Sequence, residues 1–72
     1  MFFVYVLESQ QTGRLYIGQT NNIRDRFARH NQNRVRATKG KGPWKLLGYI
    51  QLDNRSEAVL LERKLKEYRN PE

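Results

Sequence analysis

Residues 15–30, LYIGQTNNIRDRFARH, change from a strand pattern to a helix pattern within a few positions. The opening LYIG is rich in β-forming side chains and predicts an extended segment. Asn21 or Asn22 then predicts the N-cap of a helix, because an asparagine side chain accepts from the free N–H groups of the first turn. We expect this helix to run to about His30.

One strand precedes this stretch, and a strand and a helix follow it. Residues 2–8 form a continuous β-rich run that we expect to be buried on both faces and joined to the next strand as a hairpin. A polar loop over residues 31–43 leads to a strand at 44–52. Ser56 is the predicted N-cap of a second helix that ends near Tyr68. The sequence therefore predicts an α+β fold in the order β-β-α-β-α, with helices packed against one small three-stranded antiparallel sheet.

The composition excludes several classes of protein. Seventy-two residues suffice for one domain, which we expect to span residues 1–72. The chain has no cysteine and one histidine, which excludes disulfides and thiolate zinc sites and argues against a histidine-rich metal site. No apolar run approaches the ~20 residues of a membrane span, and the N-terminus does not resemble a signal peptide. We therefore expect a cytoplasmic protein without a membrane partner.

The charge favours a polyanionic partner. Fourteen Lys and Arg against seven Asp and Glu give a formal charge of +7. Such an excess suits nucleic acid, because each phosphate contacted releases condensed counterions. The simpler alternative is a charge that only aids solubility. Charge alone does not indicate cleavage.

Helical spacing assigns polar side chains to faces of the two helices. In the first helix, Ile23 and Phe27 mark the buried stripe. Arg26 and His30 lie beside that stripe. The second helix has an inner face formed by Ala58, Leu61, Leu65 and Tyr68. Glu62 falls on this inner face.

Two interpretations account for these inward polar groups. One is a partly buried Arg26–Glu62 ion pair with His30 as an ordinary polar neighbour. The other is an active site, which Tyr5 and Tyr16 favour because both are expected to point to the face that the helices meet. Two phenols, a guanidinium, an imidazole and a carboxylate in one cleft exceed what a core needs. Without that convergence, the tyrosines are aromatics that fill the sheet.

These residues resemble the GIY-YIG nuclease family. Residues 3–5, FVY, stand at the family's first motif and keep its tyrosine, and residues 16–18, YIG, are the second motif letter for letter. The helix with Arg26 and His30 and the segment SEAVLLE, ending in Glu62, follow in the family's order. The resemblance covers nearly the whole chain and is strongest to short stand-alone bacterial members.

The resemblance implies a metal-dependent endonuclease that hydrolyses nucleic-acid phosphodiesters with Mg²⁺ or Mn²⁺. Glu62 would ligate the metal, and Arg26 would neutralise charge on the phosphoryl oxygens. Tyr5 would activate the attacking water with His30 as proton relay, and Tyr16 would orient the phosphate or the water. Which tyrosine is the base stays open. Because a free phenol has a pKa of ~10, we expect nearby cations to favour the ionised form.

The C-terminus departs from the family's pattern. Many active members carry an asparagine after the glutamate helix, and Asn70 is the candidate here. Pro71 and Glu72 follow it directly, which agrees with a C-terminal helix that is cut short. Val59 and Leu60 lie off the inner face, which indicates a missing tail or a second subunit.

Four cationic side chains lie in the polar loop: Arg34, Arg36, Lys39 and Lys41. We predict that they bind a nucleic-acid backbone, although a solvated loop has the same composition. Gly18 is either a point where backbone and phosphate approach closely or merely a strand end. Trp44 is expected in the core and not as a base-stacking platform.

DNA is the expected substrate, although the sequence does not distinguish DNA from RNA or identify the structure cut. A catalytically silent nucleic-acid-binding module and a basic protein that docks on RNA are the alternatives. The inward carboxylate favours the enzyme, because it repels phosphate unless a cation intervenes. Stand-alone members often depend on partner domains, so a partner subunit or a targeting protein is a further expected partner.

Overall fold

The structure is a computed structural model that describes residues 1–69. The elements are β1 (Phe2–Ser9), β2 (Leu15–Thr20), α1 (Ile23–Asn31), a 3₁₀ turn (Arg36–Thr38), β3 (Trp44–Leu52) and α2 (Arg55–Arg69). This is the predicted α+β fold in the order β-β-α-β-α. Asn70, the candidate for the family's asparagine, lies outside the described residues.

The three strands form one antiparallel sheet in the order β2-β1-β3. The register sets Tyr5 of β1 opposite Gly18 of β2 and Tyr49 of β3. Because β1 is central, its residues pack on both faces of the sheet, as predicted from its continuous apolar run.

The two helices cover opposite faces of the sheet. One core cluster combines Val4 of β1 with Ala58 of α2. The other combines Tyr5 and Leu7 of β1 with Phe27 of α1. Because neighbouring residues of a strand point to opposite faces, α2 covers the Val4 face and α1 covers the Tyr5 face. The expectation that both helices meet one face is therefore wrong.

Asparagine side chains cap both helices. The Oδ1 atom of Asn22 accepts from the N–H of Asp25 at 3.0 Å, which makes Asn22 the N-cap of α1. The Oδ1 atom of Asn54 accepts from the N–H of Glu57 at 2.9 Å. The prediction of Ser56 as the second N-cap is wrong, because the helix already begins at Arg55.

The C-terminal turn of α2 extends beyond its apolar contacts. Leu61 and Leu65 pack against the core, but Tyr68 is 90% exposed. The assignment of Tyr68 to the inner face is therefore wrong, since packing ends one turn earlier at Leu65. Within residues 1–69, no helix combines the length and the apolar character required to cross a membrane.

Candidate active site

A buried chain of hydrogen bonds joins β1, α1 and the loop that follows α1. The Oη atom of Tyr5 lies 2.9 Å from Nε2 of His30. On the other side of the ring, Nδ1 of His30 lies 2.7 Å from Oγ1 of Thr38. Tyr5 is 2% exposed, and His30 and Thr38 are fully buried. This series of hydrogen bonds thus extends from the central strand to a loop residue without contact with bulk solvent.

Tyr16 lies beside this chain on the same face of the sheet. Its ring centroid is 5.0 Å from that of His30 and 6.3 Å from that of Tyr5. Tyr16 is half-buried, so it is the more accessible of the two tyrosines. The ring of Trp44 packs 6.3 Å from Tyr16, and Trp44 is buried in the core, as predicted.

Gly18 allows the Tyr5 ring to cross β2. A Cβ atom at Gly18 would lie 2.6 Å from Oη and 2.8 Å from Cζ of Tyr5, and 3.0 Å from Cε2 of Tyr16. Such distances are too short for any side chain at this position. The interpretation of Gly18 as a strand end is wrong, because β2 continues to Thr20. The close neighbour that requires the glycine is the phenol of Tyr5.

Arg26 is the arginine of α1 that turns towards the core. It is half-buried, whereas Arg24 and Arg29 are exposed, as the helical phase predicts. Arg29 is occupied by Asp25, whose Oδ2 lies 3.1 Å from its Nε. No such ion pair between Arg26 and a carboxylate occurs within residues 1–69.

Glu62 reaches the β2 edge from the opposite face. Its Oε1 accepts from Nε2 of Gln19 on β2 at 2.9 Å, and its Oε2 lies 2.8 Å from Nζ of Lys66. The Glu62 side chain is 19% exposed, and that of Lys66 is 52% exposed. The alternative of a structural Arg26–Glu62 pair is not supported, because Glu62 pairs with Lys66 instead.

Burial and neighbouring charges shift the pKa values of Tyr5 and His30. Glu62 acts on Tyr5 from the α2 side, so the five predicted residues do not all lie on one face of the sheet. Burial raises the pKa of Tyr5. The neighbouring Tyr16 and Glu62 raise it further, whereas the charge of Arg26 opposes the shift. Burial, with the charge of Arg26, lowers the pKa of His30 to about 4. Tyr5 therefore keeps its proton at neutral pH while His30 is neutral. The charge of Arg26 favours ionised Tyr5, as expected of a nearby cation, but burial outweighs it.

The loop cations Arg34, Arg36, Lys39 and Lys41 are all exposed. The loop itself is anchored. Asn31 Oδ1 accepts from the N–H of Trp44 at 2.6 Å, and Ser9 Oγ donates to the carbonyl oxygen of Lys41 at 2.6 Å. Buried Thr38 lies in the middle of the loop. The cations thus lie on an ordered segment that also contacts His30.

A metal ion would find one carboxylate here. Within residues 1–69, no three His, Cys, Asp or Glu side chains group together in a way that could hold a metal. Glu62 is the half-buried carboxylate whose charge acts on Tyr5. An ammonium group already lies 2.8 Å from its Oε2, which shows that this oxygen attracts a cation. A single carboxylate suits a hard ion that keeps several waters.

Three residues of the site were missed from the sequence. Lys66 was detectable, because it follows Glu62 by four residues and such pairs meet on a helix surface. Gln19 was detectable only with the strand register and the position of α2. Thr38 carried no signal, since it lies in a loop without periodicity.

A family model that describes the GIY-YIG catalytic domain matches residues 1–72. A UPF0213 protein of Nitratidesulfovibrio vulgaris is 40% identical over 67 residues, which are 92% of this chain and 60% of the relative. UPF0213 protein OB0043 of Oceanobacillus iheyensis is 33% identical over 66 residues, which are 90% of this chain and 76% of the relative. UPF0213 protein plu4503 of Photorhabdus laumondii is 37% identical over 65 residues, which are 89% of this chain and 62% of the relative. No solved structure gives a significant match.

Proposed function

Because the chain belongs to the GIY-YIG catalytic-domain family, we propose that it is a metal-dependent endonuclease that hydrolyses DNA phosphodiesters. The family acts on nucleic acid and its nucleases generally depend on a divalent metal ion. The observation that carries the proposal is the buried 2.9 Å contact between Tyr5 Oη and His30 Nε2, beside an arginine without a carboxylate partner among residues 1–69. A small core gains little from burying these polar groups.

Tyr5 and His30 together accept the proton of the attacking water. Tyr5 holds its own proton at neutral pH, so it acts as a base only if that proton moves to Nε2 of His30. As the water oxygen bonds to phosphorus, its proton passes to Tyr5 and the Tyr5 proton passes to His30. The bond from phosphorus to the 3′ oxygen breaks. The low pKa of His30 keeps Nε2 unprotonated at neutral pH but also makes it a weak base, so its protonation accompanies the attack of the water and does not precede it.

Arg26 and Tyr16 hold the phosphate. Arg26 presents a planar set of donors whose charge no neighbouring carboxylate cancels within the described residues. It therefore stabilises the negative charge that grows on the phosphoryl oxygens. Tyr16 is accessible beside the Tyr5–His30 contact, and its hydroxyl orients the phosphate or the water.

Glu62 is the proposed ligand for Mg²⁺ or Mn²⁺. Gln19 holds one carboxylate oxygen in place through a neutral hydrogen bond. The other oxygen becomes free when the exposed Lys66 turns away, which costs little because such surface pairs contribute less than about 1 kcal/mol. When bound, the ion polarises the scissile phosphate and stabilises the leaving oxygen.

The exposed cations of the loop, Arg34, Arg36, Lys39 and Lys41, are proposed to contact the DNA backbone. The chain spans about 60% of the first relative's length, so a targeting segment or partner protein is part of the proposal. The competing function is a catalytically silent nucleic-acid-binding module. It would use the same loop, but it assigns no role to the Tyr5–His30 contact.

Cleavage of labelled nucleic acids tests the proposed function. The panel contains linear, flapped and branched DNA and the matching RNA, each with Mg²⁺, Mn²⁺ or EDTA. We expect metal-dependent cleavage of at least one DNA and none in EDTA. Binding without cleavage of any substrate would support the silent module instead.

A further inference from the structure

Thr38 is a buried loop residue whose hydroxyl group contacts the proposed proton relay. Its Oγ1 lies 2.7 Å from Nδ1 of His30, and the same hydroxyl is 3.4 Å from the carbonyl oxygen of Val35. The backbone of Thr38 is held independently of its side chain. Its N–H donates to Val35 at 3.1 Å, and its carbonyl accepts from the indole N–H of Trp44 at 3.4 Å and from the N–H of Lys41 at 3.2 Å.

The hydrogen-bond partners of His30 favour the tautomer in which Nδ1 carries the proton. A hydroxyl group has one hydrogen, and Thr38 donates it to the carbonyl of Val35, which can only accept. Thr38 Oγ1 therefore accepts from Nδ1–H of His30. The hydroxyl of Tyr5 then donates to the free lone pair on Nε2.

The opposite tautomer would leave one buried hydroxyl group without an acceptor on His30. If Nε2 carried the proton, the oxygen of Tyr5 would accept it and the Tyr5 hydrogen would lose its acceptor on His30. The Thr38 hydroxyl would have to leave Val35 in order to donate to Nδ1. The Val35 carbonyl would keep the N–H of Thr38, but the Tyr5 hydroxyl is buried, and a buried polar group without its partner costs about 1–3 kcal/mol.

We propose that Thr38 is a positioning residue that fixes the Nδ1–H tautomer of His30, so that Nε2 faces Tyr5 as a proton acceptor. This rests on the proposed function for its catalytic consequence, but the tautomer is a property of the resting protein. Once His30 has accepted the proton of Tyr5, the oxygen of Thr38 still accepts from Nδ1–H. It thereby stabilises the imidazolium.

Two substitutions separate the hydroxyl group from the shape of the side chain. Thr38→Val keeps the branched shape and removes the hydroxyl, whereas Thr38→Ser keeps the hydroxyl. His30 is the single histidine of the chain, so its ring ¹⁵N signals report the tautomer without ambiguity. We expect the Nδ1–H form in the wild type and in Thr38→Ser at pH 7. We expect Thr38→Val to lose it.

Cleavage kinetics supply the second measurement. Thr38→Val should lower kcat by up to about 100-fold with KM unchanged, since it removes part of a general-base contribution, and Thr38→Ser should restore most of it. An Nε2–H tautomer in the wild type, or an unchanged tautomer in Thr38→Val, would overturn the proposal even if that variant folds poorly. If the wild type cuts nothing while the tautomers are as expected, the proposed function fails and the role of Thr38 in fixing the ring stands.

Discussion

Tyr5 Oη and His30 Nε2 lie 2.9 Å apart, in a buried contact between the central strand and α1. The environment changes the two pKa values in opposite directions, raising that of Tyr5 and lowering that of His30. The resting pair therefore consists of a phenol that holds its proton and an imidazole that can accept one. Both shifts oppose transfer of the Tyr5 proton in the resting protein, so in the proposed mechanism it moves only in concert with attack of the water.

The first prediction concerns the titration of His30. The charged and titratable groups around it are Tyr5, Tyr16 and Arg26. Burial, with the positive charge of Arg26, should hold the pKa of His30 at about 4, well below the usual 6.5. An NMR titration of the single histidine measures this directly. The acidic limb of kcat/KM, which reports the free enzyme, should follow the same low pKa, and a His30 pKa near 6.5 would contradict the account.

The same shift predicts how stability depends on pH. The folded state disfavours protonated His30, so its contribution is fully present above pH 6.5 and is lost as the pH falls towards 4. The loss is about 3 kcal/mol. Urea unfolding at pH 7 and pH 4.5 should show most of this loss, about 2 kcal/mol, in the wild type and not in His30→Gln. Parallel losses in both proteins would exclude His30 as the cause.

Gly18→Ala should displace Tyr5. The added Cβ would meet the Tyr5 hydroxyl group at 2.6 Å, so the ring must move away from His30. We expect cleavage to fall at least about 10-fold and stability to fall by about 1–3 kcal/mol. Gly48→Ala is the matched control, because a Cβ at that strand position meets nothing within 4 Å. Equal effects of the two substitutions would argue against a specific role for Gly18.

Lys66→Ala should strengthen metal binding. The ammonium group of Lys66 competes with a cation for Oε2 of Glu62. We expect half-maximal cleavage at a several-fold lower Mg²⁺ concentration, with a change in stability below about 1 kcal/mol. Lys64→Ala removes an equal charge from the same helix without touching that pair. A higher Mg²⁺ requirement in Lys66→Ala than in this control would contradict the assignment of Glu62.

The loop cations should set the salt dependence of binding. Each phosphate contact contributes about 0.9 log units of affinity per log unit of salt. Replacement of Arg36 and Lys39 by glutamine should therefore flatten the slope measured by fluorescence anisotropy. Arg63→Gln, an exposed change on α2 across the sheet, should alter it less. A slope that responds equally to all three changes would leave no special role for the loop.

The order of strands and helices could be predicted because each element carries its own apolar period and ends in turn residues. The helical phase of Arg26 was predictable for the same reason. Periodicity identifies the apolar side of a helix but not the face of the sheet that it meets, so the placement of α1 and α2 on opposite faces was missed. The N-cap of α2 was misplaced because Asn54 and Ser56 are both capping residues two positions apart.

The pKa values and the hydrogen-bond partners of the site were harder to predict than the residues that form it. The direction of the Tyr5 pKa depends on burial, which outweighs the neighbouring cation and is not visible in the sequence. Thr38 meets His30 through the path of an aperiodic loop. Gln19 meets Glu62 only because β2 is an edge strand beside α2.

The most direct test of metal-dependent catalysis is Mg²⁺-dependent cleavage by Glu62→Gln, measured with EDTA binding and thermal stability on the same sample. The amide removes the repulsion between carboxylate and phosphate, and it loses the affinity for the metal. Cleavage should fall at least about 100-fold, while binding in EDTA stays equal or becomes slightly stronger. Stability should change by less than about 1 kcal/mol, because the pair lost is with the exposed Lys66. Cleavage by Glu62→Gln at the wild-type rate, or no cleavage by the wild type on any substrate with Mg²⁺ or Mn²⁺, would contradict the account.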